Sequence, residues 1–122
     1  MALDLDVDYG ETTREWLMRC VAKAYSKHLS ERLALMPELV MPVPPADEDC
    51  TTKHLLWMAG QVMDNAHNHE KWSVTKLHRW IGYIQGVMTM RKLTDVQQER
   101  DDYRRIKQET LTKLKQSTDI DI

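Results

Sequence analysis

Ser73–Arg91, SVTKLHRWIGYIQGVMTMR, is the stretch whose reading decides the fold. Its apolar residues fall at Leu77, Trp80, Ile81, Ile84, Val87 and Met88. That is helical spacing, and the stripe predicts an amphipathic helix of about five turns. Gly82 and Gly86 sit four residues apart within it, one above the other on a single face. Glycine inside a helix costs roughly 1 kcal/mol relative to alanine. Two at this spacing predict the close approach of another helix, either inside the monomer or between subunits. Trp80, Gly82, Gln85 and Gly86 form that expected crossing interface.

Working outward, the same periodicity recurs on both sides. Upstream, a helix is expected from Thr51 or Thr52, behind the acids Asp47–Asp49, whose charge favours a helix N-terminus. Leu55, Ala59, Val62, Met63 and Ala66 make its stripe, with Leu56 beside them. The loop Asn65–Trp72 ends it, and Ser73 caps the next helix. Downstream, Thr94 with Gln97 reads as a capping box. The helix that follows, about 95–116, carries a thinner stripe of Val96, Tyr103, Ile106, Leu111 and Leu114. Near the N-terminus, Thr12 with Glu15 suggests another capping box, opening a helix over 12–35. Leu17, Cys20, Val21, Ala24 and His28 line its face, with Leu29 and Leu33 at the edge, and Pro37 stops it.

Residues 1–11 read as an arm in which Leu3, Leu5 and Val7 alternate with aspartates. Residues 36–50 hold all four prolines, three of them within Pro42–Pro45, and read as a stiff connector. Residues 117–122 read as a frayed tail. The expectation is one all-α domain, a small bundle of about four helices with a proline-rich connector. Residues 51–116 would form a compact antiparallel three-helix unit. Helix 1 and the arm would cover one side of it, or reach across to a second copy in a homodimer.

A chain of 122 residues, 42% apolar and 30% charged, has room for one core. Its net charge of −2 gives no strong electrostatic instruction, but the distribution is uneven. Residues 1–50 carry ten acids and five bases, whereas residues 51–92 carry two acids and six bases. Cys20 and Cys50 make no disulfide framework, and a reducing cytosol is expected. The acidic start, MALDLDVDYG, does not read as a signal peptide, and no apolar run approaches the ~20 residues that span a membrane.

Chemistry is weakly signalled. His67 and His69 form an H-x-H, with Cys50, His54 and His78 elsewhere, but there is no C-x-x-C or H-E-x-x-H. Neither a metal nor a cofactor is expected, and no nucleophile motif or phosphate loop occurs. No enzyme activity is expected. Trp72, Lys76, Arg79, Tyr83, Arg91, Lys92, Arg104 and Arg105 are the candidate contacts to nucleic acid or to a partner protein. Trp57 stands out because it lies off the main stripe of its helix, and an exposed tryptophan is a common interface anchor.

Three runs carry a resemblance: KHLLWM (Lys53–Met58), K-x-x-R-W-I-G-Y-I-Q-G-V (Lys76–Val87) and L-T-D-V-x-x-E-R-D (Leu93–Asp101). Over about residues 53–105 the chain resembles small uncharacterised proteins encoded by tailed bacteriophages and prophages. The resemblance implies a small accessory protein made in a bacterial cytoplasm, acting by binding a host or phage enzyme. Trp80, Gly82, Gln85 and Gly86 match the similar run, and no residue role comes with the match. Protein–protein interaction is therefore the expected mode of action. A nucleic-acid-binding accessory factor, using the basic 71–92 region and helix 4, is the alternative.

Overall fold

The computed structural model describes residues 11–36 and 51–118. Four helices follow in chain order: α1 (Glu11–Leu35), α2 (Thr52–Asn65), α3 (Val74–Met90) and α4 (Val96–Thr118). They form the all-α bundle that the periodicity predicts. The expected arm apart from Glu11, which opens α1, nearly all of the connector and the end of the tail lie outside the described residues.

The helix starts follow from local chemistry. The Thr51 hydroxyl accepts from the His54 amide, and the Ser73 hydroxyl accepts from the Lys76 amide at 3.0 Å. At α4 the expected Thr94 cap gives way to Asp95, whose carboxylate accepts from the Gln98 amide at 2.8 Å. α3 ends in a Schellman motif. The Leu93 amide donates to the Met88 carbonyl, and the Lys92 amide donates to the Thr89 carbonyl. This puts Lys92 in the left-handed region at φ 59°, a place usually taken by glycine.

α1 is the hub. It packs against α2, α3 and α4, whereas α4 packs chiefly against α1. This corrects the expected grouping of residues 51–116 as one three-helix unit with helix 1 as its cover. The directions alternate up and down. Arg19, early in α1, reaches Ala66 and Trp72, and Arg32, late in α1, reaches Glu99 at the start of α4. α1 thus runs antiparallel to α2 and α4, and its Tyr25 meets Gln85 of α3.

The main core joins Ala22, Tyr25, Leu29 and Leu33 of α1 to Leu55, Ala59 and Val62 of α2 and to Leu77, Ile81, Ile84 and Met88 of α3. Each buried leucine or isoleucine there contributes about 1.5–3 kcal/mol of transfer free energy. A second, small cluster joins Leu17 and Val21 to Leu111 of α4. Leu17, Val21, Leu29 and Leu33 of the expected α1 stripe are buried, but part of the face differs. Ala22 and Tyr25 are buried, while Cys20, Ala24 and His28 are only half-buried. The cause is that α1 has neighbours on several sides, so its apolar residues do not form one clean stripe.

Candidate functional site

Two polar constructions tie α1 to the rest and set the shape of the surface. At one end Arg19, only 1% exposed, donates to the Ala66 carbonyl at 3.1 Å and the Trp72 carbonyl at 2.7 Å. It thereby holds the α2–α3 loop, which would otherwise bury carbonyls without donors. The Glu15 carboxylate receives the other side of the guanidinium at 2.8 Å. Its hydrogen bond to Arg19 holds the Glu15 carboxyl below the usual carboxylate range.

At the other end the Glu99 carboxylate is 4% exposed. It accepts from the Tyr25 hydroxyl at 2.8 Å, the Arg32 guanidinium at 2.6 Å and the Thr94 hydroxyl at 2.7 Å. Gln85 of α3 donates to the Tyr25 oxygen at 3.0 Å. Asp102 lies 3.3 Å from Arg32 and 3.2 Å from His28. Burial, followed by the Glu99 carboxylate, pushes the Tyr25 phenol above its ordinary range. These groups serve to dock α4 on α1.

α3 and α4 do not close against each other. A groove of about 410 Å³ remains between them, lined by Gln85, Gly86 and Thr89 on one side and by Val96, Arg100 and Tyr103 on the other. Beside it runs the outward face of α3. Gly82 and Gly86 are both exposed there, and a Cβ added at either would meet nothing within 4 Å. The expected helix crossing at Gly82 and Gly86 is therefore not made inside the monomer by any described element. Met90 is 65% exposed and Val96, expected in the α4 stripe, is 54% exposed, so the face and groove carry apolar surface.

The other expected interface residues separate. Gln85 turns inward to Tyr25. Trp80 is half-buried and stands edge-on to Trp72, with ring centroids 4.7 Å apart.

The candidate contact residues likewise fail to form one surface. Trp72 is 8% exposed, which removes it as a base-stacking or partner contact. Its ring instead carries the Lys76 ammonium at 4.2 Å. Arg79 is exposed on the N-terminal half of α3, and Tyr83 is exposed one turn on. Arg91 and Lys92 close the far end of α3, roughly 20 Å away along its axis. Arg104 is exposed on α4, while Arg105 lies between Asp102 at 3.8 Å and Glu109 at 3.4 Å.

The histidines are dispersed too. His69 is 3.6 Å from Glu15, and the His67 ring lies 6.4 Å from that of Trp16. His78 Nε2 lies 3.1 Å from the Tyr103 hydroxyl. Among the described residues no three His, Cys, Asp or Glu side chains are grouped to hold a metal ion. Cys50 lies outside the described residues. No described helix is long and apolar enough to cross a membrane.

Arg19, Tyr25, Arg32 and Glu99 were not singled out by the sequence. The two arginines and the glutamate have the residue type of a solvated helix face, and for all four the signal lies in contacts between residues far apart in the chain. Searches against protein-family models, curated proteins and solved structures find no match to this chain.

Proposed function

We propose that this chain is a small phage-type accessory protein that works by protein–protein interaction and is not itself an enzyme. Its place would be the bacterial cytoplasm, on a host or phage enzyme of replication, recombination or defence. The observation that carries this reading is the outward face of α3. Two glycines stand in a helix with no described residue over them, beside an apolar groove opened by α4. Among the described residues they cost about 1 kcal/mol each with no packing return. A partner helix laid along this face could approach to the short end of the usual 8–10 Å axis separation, because no Cβ intervenes. The buried Arg19 and Glu99 and the half-buried Arg32 support the same reading, since all three are engaged in holding helices together.

The test is affinity capture from bacterial lysate with the wild type and with Gly86→Leu, followed by mass spectrometry. Gly86→Leu fills open space, so its melting temperature is expected to match or exceed that of the wild type. The reading expects a stoichiometric protein captured by the wild type and lost with the variant. No stoichiometric protein, or one captured equally by both, would count against it.

A further inference from the structure

The described surface has a second feature on the other side of α3, and it stands independently of the groove. Trp57 of α2 is 53% exposed. Its ring lies 6.0 Å from that of Trp80, which in turn rests on the buried Trp72 at 4.7 Å. Trp57 also adjoins the His54 ring, at 5.4 Å and tilted by 34°. The result is a ladder of aromatic rings, anchored in the core at Trp72 and open to solvent at Trp57. A surface tryptophan backed in this way is rigid, so a planar ligand loses little ordering entropy on meeting it.

Cations accompany the ladder at helical spacing. Lys53 precedes Trp57 by four residues, and Lys76 precedes Trp80 by four, so each lysine lies one turn along the same face as its tryptophan. Lys53 and Arg79 are exposed, and Arg79 adjoins Trp80 in sequence. α3 contains no carboxylate, and the one on α2, Asp64, lies about 10 Å along the axis from Trp57.

We propose that this α2–α3 ledge binds single-stranded nucleic acid, with an unpaired base stacked on Trp57 and phosphates beside Lys53, Lys76 and Arg79. The pairing of an exposed ring with flanking cations is what selects this ligand. An acidic peptide would use the cations but leave the indole idle. A duplex would offer phosphates but no free base face. The site differs from the one expected from sequence: Trp57 takes the stacking role, and Trp72 becomes its support.

The experiment is a fluorescence titration of the full chain with a labelled oligothymidylate at low and moderate salt. A duplex of equal length and polyglutamate serve as competitors. The proposal expects salt-sensitive binding, preference for the single strand over both competitors, and quenching of tryptophan emission. Trp57→Ala should weaken binding roughly 5- to 150-fold, and Trp57→Tyr should retain most of it. Lys53→Gln and Arg79→Gln should each flatten the dependence of log affinity on log salt by about 0.7. No binding at low salt would overturn the proposal, as would polyglutamate competing as well as the oligonucleotide or a Trp57→Ala chain that binds normally. Because Trp57 projects from the surface, circular dichroism of the variant should match the wild type. If it does not, Trp57→Tyr and the two Gln variants decide the matter.

Discussion

The two sides of α1 are held by different forces. Toward α2 and α3 the contact is a continuous apolar core in which Leu29, Leu33, Leu55, Leu77 and Ile84 are fully buried. Toward α4 the apolar contact is smaller, with Leu111 in a cluster of its own and Tyr103 and Ile106 half-buried against the core, and it is joined by the Arg32–Glu99–Asp102 network. Burial is non-directional and adds up with area, so the first side carries most of the stability. A charged network depends on each partner and leaves an unpaired charge when one is lost. α1, α2 and α3 are therefore the structural body, and α4 is the more compliant element. The groove beside the bare glycines lies on the border between them.

The comparison is broken most severely from the apolar side. Leu29→Ala should cost about 2–5 kcal/mol and lower the stability of all four helices together, read by chemical denaturation. Next comes the charged side. Glu99→Leu leaves Arg32 with Asp102 and the Thr94 hydroxyl only, and should cost about 2–3 kcal/mol. The double variant Arg32→Met with Glu99→Leu should cost less than Glu99→Leu alone. A double-mutant cycle with no coupling would mean that the network does not hold α4.

Tyr25 sharpens the contrast through pH. Its phenol is raised by burial and by the Glu99 carboxylate, so the folded state favours the neutral form. The stability it contributes is complete below the ordinary tyrosine value near ~10 and is lost as pH rises beyond it. Denaturation midpoints measured from neutral to strongly alkaline pH should fall in that window. In Tyr25→Phe the fall should be smaller, after a loss at neutral pH of about 1 kcal/mol for the hydrogen bonds to Glu99 and Gln85.

The smallest effects are stabilising and lie on α3. Gly82→Ala and Gly86→Ala should each raise stability by about 0.5–1 kcal/mol, since the added methyl meets nothing. Lys92→Gly should give a gain of similar size, roughly 0.5–1 kcal/mol, by relieving the left-handed residue in the α3 terminus. A loss from either glycine variant would show that α3 is covered in the free protein.

How much of this was legible beforehand follows the same division. The buried α3 stripe of Leu77, Ile81, Ile84, Val87 and Met88 is the one its periodicity predicts, and Ser73 caps where its side chain suggests. Apolar spacing is local information, and local information survives folding. The Arg19 and Glu99 constructions join residues about 50 and 70 positions apart, which no window on the sequence brings together. The glycine pair illustrates the limit. Its spacing placed both residues on one face, but nothing local said whether that face met a helix or open solvent. Trp57 was marked by its position off the stripe, yet the ladder behind it depends on how α2 and α3 pack.

Native-state hydrogen exchange on the intact chain tests most directly whether α4 is held as a separable element against a body of three helices. The account predicts that amides of α4 exchange through openings that leave the core amides of α1, α2 and α3 protected, and that Glu99→Leu widens the difference. Equal opening free energies for α4 and for the centre of α1 would contradict it.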